Sequence, residues 1–317
     1  MATAFAPEIA EAISRLQTNM HQVVKGKRQA VKLCIVALVA GEHVLLEDVP
    51  GVGKTLIGKS LAKSIEAEFC RLQFTPDLLP SDIVGSSVFR PDTAEFEFVQ
   101  GPIFNSVVLA DEINRAPPRT QSALLEAMSD EQVSVDGVTY PLPEPFIVIA
   151  TQNPFEFEGT YILPESQMDR FLLRISLGYP ERAEELDVLK SHRDGPPVDS
   201  MKPVLTAKQV EELKSTARQV HVDDSISHYI LDIVDRTRNS EELSVGVSTR
   251  GALLWYRAAQ ALALVDGLEF VTPDQVKSLA VPVLSHRVTA SGFAHGSRKA
   301  EIEEIIARLV ADVPVPT

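Results

Sequence analysis

A glycine-rich turn that closes on lysine and threonine constrains this chain more than any other feature. It reads Leu45-Leu46-Glu47-Asp48-Val49-Pro50-Gly51-Val52-Gly53-Lys54-Thr55. The apolar run His43 to Glu47 in front of it predicts a short strand, and Leu56 to Ile65 behind it has helical periodicity. Gly51 and Gly53 carry no side chain, so the backbone can wrap closely and aim its N–H groups at an anion while the next helix presents its positive end. Such a turn cradles phosphates. Lys54 would neutralise the β- and γ-phosphates of a nucleoside triphosphate, and Thr55 would place a hydroxyl on magnesium. In the pattern G-x-x-x-x-G-K-[ST] the first glycine falls at position 48, where this chain has Asp48. Aspartate tolerates the left-handed backbone, and its carboxylate is expected to turn away from the phosphates. On that reading Asp48→Gly is nearly neutral. The alternative is an incidental Gly-Val-Gly-Lys-Thr in a loop.

A second motif argues against coincidence. Val107-Val108-Leu109-Ala110 is a buried-type strand that runs into Asp111-Glu112. Adjacent carboxylates at a strand end are costly unless a cation meets them. The first can hold magnesium and the second can activate a water. Read alone, the pair could also be two solvated acids opening the next helix.

With 317 residues, 44% of them hydrophobic, the chain can bury a large core and is expected to divide into two domains, 1–180 and 181–317. A net charge of −14 disfavours general attraction to nucleic acid or anionic membranes. No run of about eighteen apolar residues and no signal-peptide pattern stands out, which predicts a cytoplasmic protein with no membrane span. Cys34 and Cys70 are the only cysteines, both in apolar surroundings, and read as reduced thiols. The seven histidines lack zinc-type spacing; His221 and His228, seven apart, could share a helix face.

The first half alternates short strands with helices, the pattern of a parallel sheet covered on both faces. Strand-like Phe69 to Phe74 is followed by a Pro/Asp/Ser-rich stretch from Thr75 to Gly85. Two hairpins interrupt the alternation. One pairs Ser87 to Arg90 with Glu95 to Val99, and the other pairs Gln132 to Val135 with Thr139 to Leu142 around Asp136-Gly137. Apolar strands follow at Phe146 to Ala150 and Phe171 to Leu177. Beyond Pro180 the strands are expected to stop, and Glu181 to His192, Ala207 to Val220, Asp224 to Arg238, Arg250 to Asp266 and Pro273 to Arg287 read as helices. Thr206, Asp223, Thr249 and Thr272 are the expected caps, and Asp194-Gly195-Pro196-Pro197 reads as a loop.

Three further residues fall where a ring-forming ATPase needs them. Strand Phe146 to Ala150 delivers Thr151-Gln152-Asn153-Pro154, so Asn153 could orient water against a γ-phosphate, although Asn before Pro is also a common turn. Arg170, in Gln167-Met168-Asp169-Arg170-Phe171, could reach a neighbouring subunit's nucleotide, or could pair with Asp169 or Glu165 instead. Arg250, opening a later helix in Ser248-Thr249-Arg250-Gly251, could clasp phosphates from the lid side.

Together these segments resemble the MoxR family of AAA+ ATPases over nearly the whole chain. The most specific stretches are Gln73-Phe74-Thr75-Pro76-Asp77-Leu78-Leu79-Pro80-Ser81-Asp82 and Asp111-Glu112-Ile113-Asn114-Arg115-Ala116. The resemblance implies an α/β P-loop NTPase core, a three-layer parallel-sheet architecture with a hairpin inserted in its second helix and another before the sensor strand, followed by an all-α lid. It implies ATP and Mg²⁺ as ligands, with Pro50, Gly51, Val52, Gly53, Lys54, Thr55 and Leu56 around the phosphates and Thr55 and Asp111 on the metal. Glu112, Asn153, Arg170 and Arg250 would be catalytic. Val24 and Gly26 would border an adenine pocket, with Lys27 where relatives usually carry glutamine. A homo-oligomeric ring, a hexamer, and a partner with a von Willebrand factor A domain are implied too, the client protein being unspecified. Two relatives in architecture are the rival readings, a magnesium-chelatase-type subunit and a helicase-like nucleic-acid motor. The motor would need basic hairpin tips, whereas these read Arg90-Pro91-Asp92-Thr93-Ala94-Glu95 and Val135-Asp136-Gly137-Val138. A GTPase would need an Asn-Lys-x-Asp sequence, and no Asn-Lys pair occurs.

Overall fold

The structure, a computed structural model, describes residues 7–49, 51–153, 159–191, 195–292 and 298–316. Pro50, Pro154, His192 and Asp194, all named above, lie outside the described residues. Two helices, α1 (Pro7–Val23) and α2 (Arg28–Ala40), precede strand β1 (Val44–Glu47) and helix α3 (Lys54–Ser64). Then come β2 (Phe69–Gln73), α4 (Pro80–Val84), the hairpin β3 (Gly85–Arg90) and β4 (Glu95–Gln100), β5 (Val107–Asp111) and α5 (Pro118–Asp130). A second hairpin, β6 (Gln132–Val135) with β7 (Val138–Pro141), leads to β8 (Ile147–Gln152), the short α6 (Glu165–Met168) and β9 (Leu173–Ile175).

Five strands form one sheet in the order β2-β5-β8-β1-β9, and every pairing is parallel. Successive side chains of a strand point to opposite faces, and in the central strands β1, β5 and β8 both faces are dry. Val44, Leu46, Val107, Leu109, Ile147 and Ile149 join the core shared with α1, α2 and α3, whereas Leu45, Val108, Ala110, Val148 and Ala150 pack with α4 and α5 on the other side. The expected three-layer α/β core is therefore present.

The helical half contains α7 (Arg182–Ser191), α8 (Ala207–Ala217), α9 (Asp224–Arg238), α10 (Thr249–Val265), α11 (Pro273–Leu284) and α12 (Arg298–Ala311). Thr206 caps α8 with a reciprocal bond to Gln209, and Asp223 caps α9 through the Ser225 N–H. Thr272 starts α11, its N–H donating to Gln275 Oε1. The cap of α10 is Ser248, which accepts from the Gly251 N–H, so Thr249 is the first helical residue rather than the cap. His221 precedes α9 and bridges to Phe270, so it shares no helix face with His228. Strands do not stop at Pro180 either. A small antiparallel ribbon pairs β10 (Leu243–Val245) with β11 (Thr289–Ala290), each too short to show alternation in sequence.

Helix α2 joins the two halves. From Ala30 to Val39 nearly every side chain is buried, because one side meets the sheet layer and the other meets α8 and α10. One cluster of buried side chains thus crosses the expected boundary at 180, and the division into 1–180 and 181–317 remains a proposal.

The hairpins fold as their turns predict. Asp136 and Gly137 both have positive φ, as a two-residue turn matching strand twist requires. At the base of the first hairpin the backbones come very close. A Cβ on Gly101 would lie 2.3 Å from the Ile83 carbonyl oxygen, so only glycine fits. The two hairpins also touch, with Phe98 stacked on Tyr140 at 4.2 Å between ring centres and Ser87 Oγ donating to Asp136 at 2.5 Å.

Cys34 is buried and its thiol is pushed up to about 12 by burial; Cys70 is half-buried and shifted in the same direction. His43, at the start of β1, is buried against Phe146. Its Nδ1 accepts from the Val148 N–H at 3.0 Å, so Nε2 carries the proton and donates to the Met128 carbonyl. Burial lowers its pKa from 6.5 to about 4, the Met128 bond opposing and Lys214 adding to the shift. The unfolded chain therefore binds this proton at a higher pH than the native one. The stabilisation from neutral His43 is complete above pH 6.5 and is lost as pH falls towards 4, by on the order of 3 kcal/mol. Denaturant unfolding at pH 7 and pH 4.5 should show this loss, and His43→Gln should make the pH dependence shallower.

Candidate functional site

Parallel strands deliver their C-terminal ends to one edge of the sheet, and the candidate residues meet there. Gly51 and Gly53 have φ of +85° and +97°, with open space where a Cβ would stand, and helix α3 begins at Lys54 directly behind them. Gly51, Gly53, Lys54, Thr55 and Leu56 line a cavity of about 550 Å³ together with Asp111, Glu112 and Asn153. Val52 packs against the main core instead. Lys54 Nζ donates to the Asp48 carbonyl at 2.6 Å. Lys59 and Arg71 add positive charge to the lining, which suits a polyanion although the whole chain is acidic.

The acidic pair is tightly held. Thr151, fully buried, donates from Oγ1 to Asp111 Oδ1 at 2.6 Å and accepts from the Glu112 N–H at 2.9 Å. Arg71 donates through Nε and Nη2 to Asp111 Oδ2 at 2.9 and 2.6 Å. Glu112 Oε2 accepts from Gln73 Nε2 at 2.9 Å and from Arg115 Nη1 at 3.1 Å. Glu112 itself has φ +58° and ψ +51°, a left-handed backbone that a residue with a Cβ adopts at a cost of about 1–3 kcal/mol. That conformation turns the chain sharply after β5, so Asp111 and Glu112 both border the cavity. Thr151, Arg71 and Gln73 escape a reading of the sequence because their roles depend on strand order, and Arg115 because its partner is fixed by the tight turn after Glu112. The available signals are that Arg71 and Gln73 are two apart on a strand and so share a face, and that Arg115 follows Glu112 at a spacing of three.

Other candidates lie elsewhere. Asp48 does not simply turn outward. Its Oδ1 accepts from the Val49 N–H at 2.8 Å, and its Oδ2 accepts from the N–H groups of Leu177 and Gly178 at 2.7 and 2.5 Å. Val24 is buried and Gly26 has φ +70°, but neither borders the cavity; the Glu184 carboxylate lies against Gly26, and Lys27 Nζ donates to the Gly178 carbonyl at 2.9 Å.

Arg170 and Arg250 are remote from this edge. Both cluster around the chain that leads into β9, and because β9 runs parallel to β1, that end of the sheet is opposite to the phosphate loop. Arg170 Nη1 donates to the Leu125 carbonyl at 2.7 Å and to Ser129 Oγ, both near the C-terminus of α5. It does not pair with Asp169 or Glu165. Asp169 instead receives the buried Arg287 at 2.8 Å and Arg250 at 3.9 Å, while Glu165 accepts from Thr289 at 2.6 Å. Burial lowers Arg287 to about 10 against the raising pull of Asp169, which leaves it charged at neutral pH.

A family profile described as "ATPase family associated with various cellular activities (AAA)" matches residues 43–173, and an AAA lid domain profile matches residues 235–307. The chain is 39% identical to Chaperone MoxR1 of Mycobacterium tuberculosis across 96% of this chain and 82% of that protein. It belongs to the MoxR family of AAA+ ATPases. Similarity extends to YeaC of Bacillus subtilis, 46% identical across 99% of this chain and 98% of that protein. Among solved structures, a putative ATPase from Cytophaga hutchinsonii superposes with a TM-score of 0.89 at 35% identity, covering 98% of this chain and 96% of that one. The loop at Gly51–Thr55 and the acidic pair both fall within the matched AAA segment, and Arg250 falls within the matched lid. No helix among the described residues is long and apolar enough to cross a membrane.

Thr151 provides a direct test of how the acidic pair is held. Thr151→Val keeps the shape but leaves the Glu112 N–H and Asp111 without this partner, a loss of about 1–3 kcal/mol at a buried site. Turnover of ATP by this variant should fall about tenfold or more, while equilibrium binding of a fluorescent ATP analogue changes only a few-fold.

Proposed function

We propose that this MoxR-family protein hydrolyses ATP with magnesium and uses the cycle to remodel or mature client proteins. The observation that carries the reading is the meeting of Lys54, Thr55, Asp111, Glu112 and Asn153 around one cavity. Backbone N–H groups of residues 51–55 would bind phosphate oxygens, and Lys54 would neutralise the β/γ charge. The donor set suits magnesium: a hydroxyl and a carboxylate are hard oxygen donors, few enough to leave positions for phosphates and water. Thr55 and Asp111 would hold the ion, which supplies positive charge against the phosphates. Glu112 accepts the proton or polarises the attacking water, and Asn153 orients that water against the γ-phosphate. Gln73 and Arg115 aim the Glu112 carboxylate.

Lys54→Ala should abolish or greatly weaken binding of a fluorescent ATP analogue, and Glu112→Gln should bind it normally yet stop phosphate release. Wild-type affinity in Lys54→Ala would sink the assignment of the phosphate loop.

The two arginines at the other edge motivate a ring, hexameric by family analogy. From that edge Arg170 and Arg250 would reach the nucleotide of a neighbouring subunit, which revises the expectation that Arg250 clasps phosphates in its own chain. Arg170→Ala should bind ATP in its own pocket but turn over about 10³-fold more slowly. Mixing it with Glu112→Gln should restore activity, since some interfaces then pair an intact Glu112 with an intact Arg170. A mixture that stays inactive while subunits exchange assigns Arg170 to holding α5 alone. Clients and a von Willebrand factor A partner are proposed on family resemblance, and the exposed Phe89 and Phe96 of the first hairpin offer apolar contact area.

A further inference from the structure

We propose that Asp48 is a positioning residue that couples the phosphate loop to the start of the lid. The inference rests on the phosphate-binding role of the loop proposed above. Position 48 ordinarily carries glycine in this motif, which has no side chain and can form no such link. Here the carboxylate reaches across to the strap that follows β9 and accepts two backbone N–H groups, at Leu177 and Gly178. Bonds from N–H groups to a charged carboxylate are the strong kind. Its other oxygen accepts from Val49 at the start of the loop, so one carboxylate joins loop and strap.

The link is tied at both ends. Lys54, the residue that would meet the phosphates, donates to the Asp48 carbonyl, so the main chain at 48 is fixed to the first residue of α3. Gly178 is gripped from a second side by Lys27, and the preceding Ser176 donates to the Glu47 carbonyl at 3.1 Å. The strap has few options for independent movement. A shift of the loop when it closes on phosphate passes through Asp48 to residues 177–178, and from there to α7, whose Glu184 lies against Gly26. A glycine at 48 would leave the loop able to bind phosphate while the lid receives no signal.

Hydrogen exchange of a peptide spanning residues 172–181 tests this, in wild type, Asp48→Gly and Asp48→Asn, each with and without a non-hydrolysable ATP analogue. Wild type should exchange slowly and change on addition of the analogue. Asp48→Gly should exchange about tenfold faster without nucleotide, bind the analogue within a few-fold of wild type, and show no change in the strap on binding. Its kcat should fall about tenfold with KM little altered. Asp48→Asn keeps the shape and one acceptor oxygen, and should show the same separation in weaker form. The inference is overturned if both variants keep the wild-type exchange and response, or if the response declines only in proportion to lost binding. A wild type that binds no analogue overturns the phosphate-loop reading itself and the coupling with it.

Discussion

The three central strands of the sheet, β5, β8 and β1, are buried on both faces and leave no place for a charged side chain except at their ends, while the edge strands β2 and β9 admit Arg71 and Arg174. That constraint orders the rest of the molecule. Val44 to Leu46, Val107 to Ala110 and Ile147 to Ala150 are fully buried, and each run ends in polar residues. Since all strands are parallel, those ends share one edge, and Asp111, Glu112, Thr151 and Asn153 are collected beside the loop after β1. Chemistry accumulates there because the central strands exclude it along their length.

The opposite edge carries a different arrangement. Asp169 draws Arg287 and Arg250 from the helical half onto the chain entering β9, and the adjacent Arg170 donates to α5. His286, buried beside Arg287, is held neutral by burial first and by that neighbouring charge second, its Nε2 meeting the Phe171 carbonyl. One edge therefore mixes Lys54, Lys59 and Arg71 with a carboxylate pair, and the other gathers cations around a single carboxylate.

Much of this was legible in the sequence wherever the cause is local. The glycines at 51 and 53, the Asp136-Gly137 turn, the caps at Thr206 and Asp223 and the acidic end of β5 each depend on a few neighbouring residues. What escaped depends on distant partners. Asp48 is an odd letter in a motif until Leu177 and Gly178, about 130 positions later, come to lie beside it. Arg170 has two acidic neighbours in sequence, yet the fold gives one of them to Arg287 and the other to Thr289. Thr249 and Ser248 are equally good caps by composition, and only the turn geometry selects Ser248. The ribbon of β10 and β11 is too short for any periodicity, and α2, buried on nearly all sides beneath α8 and α10, lacks the one-sided apolar stripe that marks a surface helix.

The two hairpins acquire a mechanical meaning from their contact. Each alone would hang from one pair of chain connections and could swing about that base. The Phe98–Tyr140 stack and the Ser87–Asp136 bond instead join them into one paddle with two separate roots, the first beside α4 and the second between α5 and β8. A body hinged along two different lines cannot rotate freely about either. Any push on the exposed Phe89 and Phe96 must therefore twist both roots together, and the second root continues directly into the strand that ends at Gln152, next to Asn153.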